Sequence, residues 1–173
     1  MIPVISVVGR SNAGKTTLIE KLVPEIKRRG YKVATIKHDA HQFEMDKPGK
    51  DTYRHFQAGA DAVIISSKEK MAMIARTEGA EIPLDDLVKK LPQVDLVLTE
   101  GYKSGNKPKI EVYRKGLKGG LLCDPAELIC VATDEPLDID VPCLDINDPV
   151  GIINLIEEKF LKKSDGNLER QDR

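Results

Sequence analysis

The chain has 173 residues, with 27 basic and 28 acidic side chains, 40% hydrophobic residues and 4% aromatic ones. At ~150 residues per domain this is about one domain, long enough to bury a core without disulfide or metal staples. A formal net charge of −1 removes the global electrostatic case for a nucleic-acid coat or a membrane-surface binder. Cys123, Cys130 and Cys143 form no C-x-x-C pair and one must stay single, which is a reducing-compartment pattern. The start, Met1 to Gly9, has no positive n-region or cleavage site, and no apolar run approaches ~20 residues. The expectation is a cytoplasmic globular protein that spans no membrane.

In chain order, Val4–Val8 is a β-branched run ending at Gly9, which fits a strand buried on both faces. After the loop Arg10–Gly14, Lys15–Arg29 carries Leu18, Ile19, Leu22, Val23 and Ile26 at helical spacing. Pro24 is expected to kink that helix or thin one turn, and Gly30 to stop it. Tyr31–Lys37 is a second strand and completes a βαβ-sized unit. Asp39–Lys50 is polar and reads as a loop. Asp51 or Thr52 is expected to cap a short helix closing at Gly59. Ala62–Ser66 and Met71–Arg76 read as a hairpin across Ser67–Lys70, and Leu84–Leu91 as a short helix between two prolines.

Val94–Thr99 is the next buried strand and ends at Glu100-Gly101. A lysine-rich loop, Tyr102–Lys109, leads into Ile110–Arg114, whose alternation predicts an antiparallel strand. Leu128–Ala132 and Val141–Leu144 are two more short strands, and Pro149–Lys162 is a closing helix. Residues 164–173 read as a frayed tail after a phosphate-loop domain spanning 1–163. The fold class is α/β, a phosphate-loop NTPase-type three-layer arrangement with a mainly parallel sheet and an antiparallel hairpin excursion.

The chemistry starts at Gly9-Arg10-Ser11-Asn12-Ala13-Gly14-Lys15-Thr16, an ungapped match to G-x-x-x-x-G-K-[ST] with a strand before it and a helix after it. Its glycines permit a turn whose consecutive N–H groups face one concavity and bind phosphate oxygens. The start of the following helix adds its positive end to the same place. Lys15 is expected to reach the β- and γ-phosphates, Thr16 to hold Mg²⁺ through its hydroxyl, and Thr17 to complete the phosphate-binding set.

In open α/β sheets ligands bind outside the carboxyl ends of the strands. Asp95 and Glu100 bracket one strand about 17 Å apart at ~3.3 Å per residue, so only Glu100 lies level with the phosphate loop. Glu100 is the candidate Mg²⁺ ligand, direct or through water, or the group that orients an attacking water. Asp39, after the second strand, is a further metal candidate, and Lys37 can face a phosphate. His38 and His41 have no nearby cysteine or third histidine to make a structural metal site. Lys50, Arg54 and His55 gather at one helix start, as an anion site or a solvated face. Lys103, Lys107 and Lys109 sit in the glycine-containing loop beyond Glu100, as a lid or a solvated loop. The guanine-reading N/T-K-x-D sequence is absent, and the nearest candidates to read a base are Thr133 and Asp134. These residues leave guanine against adenine open.

The phosphate loop, Thr17-Leu-Ile-Glu-Lys-Leu22, Val33-Ala-Thr-Ile-Lys-His38, Pro48-Gly-Lys-Asp-Thr-Tyr-Arg-His55, Glu100-Gly-Tyr-Lys103 and Pro108-Lys-Ile-Glu-Val112, in that order, closely resemble one family. It is the family of molybdopterin-guanine dinucleotide biosynthesis protein B, or MobB, and the resemblance runs from about Ile2 to Phe160. It implies a GTP-binding adapter with weak GTPase activity, a homodimer that assists the MobA-type guanylyltransferase joining GMP to molybdopterin. In the wider dethiobiotin synthetase-like group the acid of the Glu-Gly pair touches Mg²⁺, which maps onto Glu100. The rival readings are a small-molecule kinase or ligase of that group and a metal-insertion GTPase.

Overall fold

The computed structural model describes residues 1–39, 43–117 and 119–161. The elements in chain order are β1 (Val4–Gly9), α1 (Lys15–Arg28), β2 (Val33–Lys37), α2 (Asp51–Gln57), β3 (Ala62–Ser66), β4 (Met71–Ala75), α3 (Leu84–Lys89), β5 (Leu96–Glu100) and β6 (Lys109–Tyr113). A 3-10 turn at Pro125–Glu127, then β7 (Leu128–Thr133), β8 (Cys143–Asp145) and α4 (Pro149–Phe160), follow. The chain forms two compact units, one from Met1–His38 with Leu91 onward, the other from Asp39–Lys90. Among the described residues no helix is long and apolar enough to cross a membrane.

The first unit is built on a six-stranded sheet in the order β2-β5-β1-β6-β7-β8, with every neighbouring pair parallel. Strands β1 and β5 are buried along almost their whole length, as their unbroken apolar runs require. Ile5, Val7, Leu96, Leu98, Ile110 and Val112 form one core with Leu18, Leu22 and Ile26 of α1 and Ile152, Ile153 and Ile156 of α4. Helix α1 runs through Pro24 and ends at Arg28, and Gly30 takes a left-handed φ of +87° just beyond it.

Strand β6 departs from the sequence reading. Ile110–Arg114 was expected to be antiparallel, yet β6 lies parallel between β1 and β7. The alternation of polar and apolar residues suggested one solvated face, but both polar residues are buried and partnered. Lys109 Nζ donates to the Gly105 carbonyl at 2.6 Å and sits 3.1 Å from a Glu127 oxygen. The Glu111 carboxylate accepts from the Leu122 N–H at 2.7 Å and the Cys123 N–H at 3.0 Å. Lys109 therefore belongs to the sheet and not to the lysine-rich loop.

Helices α1 and α4 pack together through charge as well as apolar contact. Glu25 receives Arg28 and Arg29, each at 2.7 Å, and Arg29 also reaches Glu157 of α4. The hydrogen bonds from Arg28 and Arg29 lower the Glu25 pKa from 4.5 to about 2. A depressed carboxyl pKa contributes stability that is full above its unfolded value and is lost as pH falls through the folded one. The melting temperature of the native chain should therefore fall more steeply between pH 4.5 and pH 2 than that of Glu25→Gln. Parallel pH–melting curves for the two proteins would reject this role.

The second unit pairs β3 and β4 antiparallel, with Val63 opposite Ile74 and Ile64 opposite Met73, as the hairpin reading expects. Helix α2 packs on β3. It starts without a side-chain cap, so neither Asp51 nor Thr52 plays the expected role, and Lys50 takes the capping position. Arg76 lies over the Phe56 ring at 4.3 Å and donates to the Phe56 and Ala60 carbonyls. Ile64, Ile65, Met71 and Met73 are all more than half exposed, an apolar patch on a two-stranded sheet. An open cleft of about 1240 Å³ in this unit is lined by Phe43, Met45, Tyr53, Phe56, Ile74 and Arg76, among others. The predicted tail at 164–173 and the candidate His41 lie outside the described residues.

Candidate functional site

Parallel pairing sets which residues share a rim. Val7 is level with Glu100, Lys37 with Glu100, Gly9 with Val112, Tyr113 with Thr133, and Thr133 with Asp145. The carboxyl ends of β1, β2, β5, β6 and β7 thus bring Gly9, Lys37, Glu100, Arg114, Thr133 and Asp134 to one edge of the sheet.

The phosphate loop is shaped by conformations that ordinary residues avoid. Gly9 has φ +146° and Gly14 φ +101°, and Asn12 is one of two described non-glycine residues with a positive φ, at 62°. A Cβ on Gly9 would stand 2.6 Å from the Val112 carbonyl oxygen, so the loop needs glycine there for space as well as for conformation. The Ala13 N–H closes a turn onto the Arg10 carbonyl at 3.2 Å, and the Ala13 side chain is buried. Ser11 and Asn12 are exposed. Helix α1 begins at Lys15 with no acidic residue in its first turn, which keeps its positive end uncompensated.

Lys15 Nζ donates to the carbonyls of Gly9 at 3.1 Å and Arg10 at 2.9 Å, so its ammonium lies against the loop. Thr16 Oγ1 is 3.0 Å from both carboxylate oxygens of Glu100, joining residues 84 positions apart. Lys37 Nζ lies 3.6 Å from Glu100 Oε1, so it balances the carboxylate charge. Thr16 and Glu100 form an all-oxygen donor pair, which suits Mg²⁺, an ion that takes one or two protein oxygens and fills its shell with phosphates and waters. Among the described residues no group of three or more His, Cys, Asp or Glu side chains is placed to share a metal ion.

Asp95 lies at the opposite end of β5, where it accepts the Lys32 N–H at 2.7 Å. His38 follows β2, donates its N–H to the Glu100 carbonyl at 2.9 Å and packs its ring 4.9 Å from Tyr102. Asp39 is the first residue of the second unit and is exposed. Arg54 and His55 of α2 and Lys50 at its capping position are exposed in that unit. Thr133 Oγ1 is used in a local turn with the backbone of Glu135. The Asp134 carboxylate accepts the Lys115 N–H at 2.7 Å and pairs with Arg114 Nε at 2.9 Å. That N–H and the guanidinium hold its carboxyl below the usual carboxylate range, against the opposing effect of burial. Burial pushes the Cys130 thiol up to about 12, and all three cysteines are free.

Two arginines stand by the loop: Arg10, which the motif already includes, and Arg114, which the sequence reading placed only at the end of a strand. Arg10 Nη2 donates to the Gly120 carbonyl at 3.2 Å, so the loop is tied to the segment after β6. Arg114 Nη1 stands 3.9 Å from where a Gly14 Cβ would be. Parallel pairing of β6 was the missing signal, because an antiparallel β6 would send Arg114 to the far edge.

Residues 4–134 match the family model described as molybdopterin guanine dinucleotide synthesis protein B, MobB. The chain is 37% identical over 171 residues to the molybdopterin-guanine dinucleotide biosynthesis adapter protein of Escherichia coli K12, covering 96% of this chain and 97% of that one. It is 39% identical over 158 residues to the protein of the same name in Haemophilus influenzae, covering 90% and 88%. Among solved structures, the crystal structure of molybdopterin-guanine biosynthesis protein B is similar at a TM-score of 0.70 and 30% identity, covering 90% of this chain and 98% of that one. That of Bacillus subtilis MobB is similar at 0.69 and 26% identity, covering 91% and 98%.

Proposed function

This chain belongs to the MobB family, and from that membership we propose that it is a GTP-binding adapter of molybdopterin-guanine dinucleotide biosynthesis. The observation that carries the nucleotide part is the meeting of Thr16 and Glu100 beside the ammonium of Lys15. Loop N–H groups, the start of α1 and Lys15 hold the phosphates. Thr16 and Glu100 hold Mg²⁺, which when bound offsets phosphate charge. Asp134 offers its carboxylate to the base edge. Titrating GTP and ATP, each with Mg²⁺, tests the reading. A clear preference for GTP is expected, and equal binding or an ATP preference would overturn it.

Hydrolysis by this chain alone is slow. An arginine finger supplies ~10³–10⁵ in rate, and the two arginines beside the loop are engaged, Arg10 with Gly120 and Arg114 with Asp134. The chain acts chiefly through its partner, the MobA-type guanylyltransferase that joins GMP to molybdopterin, and works as a homodimer. The exposed apolar hairpin of β3 and β4 supports an assembly surface, since contiguous apolar patches on soluble proteins mark interfaces.

Glu100→Gln keeps the shape of the Thr16 contact but removes the charge. Its GTP affinity with Mg²⁺ should fall about tenfold, while affinity in excess chelator stays within about twofold. Titrations with and without Mg²⁺ measure both quantities, and an unchanged Mg²⁺ dependence would remove Glu100 from the metal site.

A further inference from the structure

We infer that Arg114 is a specificity-determining residue: it locks the Asp134 carboxylate against the phosphate loop in the one orientation that accepts a guanine edge. This rests on the GTP-binding reading and adds a residue to it.

A carboxylate has about four lone-pair sites. In Asp134 one oxygen is taken by the Lys115 N–H at 2.7 Å and the other by Arg114 Nε at 2.9 Å. Both donors follow β6, so they fix the plane of the carboxylate and leave its remaining lone pairs as a matched pair of acceptors. Guanine presents two adjacent donors on its Watson–Crick edge, N1–H and the 2-amino group. Adenine presents one donor and a ring-nitrogen acceptor, and that acceptor would face a carboxylate oxygen. A fixed carboxylate therefore discriminates by attraction to one base and repulsion of the other. A swinging carboxylate could turn away from adenine and lose the repulsive part.

Arg114 also sets where this acceptor pair stands. Its Nη1 lies 3.9 Å from the position of a Gly14 Cβ, and Gly14 has φ +101°, so the planar guanidinium spans the gap between the phosphate loop and Asp134. Arginine suits this better than lysine because its rigid fork holds two directions at once. The Asp134 side chain is 29% exposed and that of Arg114 46%, which leaves the carboxylate within reach of a base.

The test compares GTP, ATP and xanthosine triphosphate with Mg²⁺ on full-length native chain, Arg114→Ala, Arg114→Lys and Asp134→Asn. Asp134→Asn replaces one acceptor oxygen with an amide donor and should shift preference from GTP toward xanthosine triphosphate, which reports on the base site itself. Arg114→Ala should cut the ratio of GTP to ATP affinity about tenfold, and Arg114→Lys should restore it in part. A proportional loss of both nucleotides in Arg114→Ala would make Arg114 a phosphate contact and overturn the inference, as would an unchanged ratio. If Asp134→Asn gains nothing for xanthosine triphosphate, the base assignment fails first and the inference falls with it. Melting curves of each variant separate these results from misfolding.

Discussion

Lys15→Ala should lower GTP affinity roughly 100-fold while leaving the melting temperature nearly unchanged. The ammonium contributes little to the apo fold, because its partners are two part-buried carbonyls of its own loop, Gly9 at 3.1 Å and Arg10 at 2.9 Å, and no distant element. Against a triphosphate the same group makes charge-assisted hydrogen bonds, worth about 1.5–3 kcal/mol each in a protein setting. Losing about 2.7 kcal/mol corresponds to the factor expected. Lys15→Arg keeps the charge but is longer and planar, so it should recover only a fraction. Titration of GTP into each variant reads the effect directly. An affinity within threefold of the native value would remove Lys15 from the phosphate site, and with it the loop's assignment.

The largest effect on stability should come from Gly9→Ala. A Cβ there meets the Val112 carbonyl oxygen at 2.6 Å and the Val112 Cβ at 3.3 Å, both on the neighbouring buried strand, and φ is +146°. Neither backbone can yield without shifting the pairing of β1 with β6, where Gly9 is level with Val112. Strain and clash together should cost about 3 kcal/mol. For a chain of this size that is a fall of roughly 6–12 °C in melting temperature. Gly30→Ala is the matched control. Gly30 has φ +87° with nothing within 4 Å of a Cβ, so only backbone strain remains, about 1–2 kcal/mol. Equal losses in the two variants would mean that the close approach to Val112 is not what requires glycine.

Membership in the family bears on the adapter role more than on the chemistry at the sheet edge. The phosphate loop is shared widely, whereas the relatives matched along almost the whole chain are adapter proteins by name. The two compact units divide the candidate site from the exposed apolar surface. The first carries the loop, Thr16 and Glu100. The second carries the exposed hairpin of Ile64, Ile65, Met71 and Met73 and the aromatic cleft around Phe56.

Legible in the sequence alone were the Gly9–Thr16 turn, the strand and helix that flank it, the β3–β4 hairpin and the placement of Glu100, not Asp95, at the loop end of β5. All of these depend on local pattern: a motif of fixed spacing, β-branched runs, and a length that puts two acids at opposite strand ends. What it misread were features whose cause lies elsewhere in the chain. Lys109 and Glu111 alternate with apolar residues as a half-exposed strand does, yet their partners are Gly105, Glu127 and the amides of Leu122 and Cys123. Asp51 and Thr52 have the chemistry of a cap, but α2 starts without one. Tertiary structure alone decided the parallel direction of β6, and with it the end of the sheet to which Arg114 comes. Local sequence fixes which way a side chain alternates along a strand. Direction within a sheet depends on long-range pairing, and here that pairing sets Arg114 between Gly14 and Asp134.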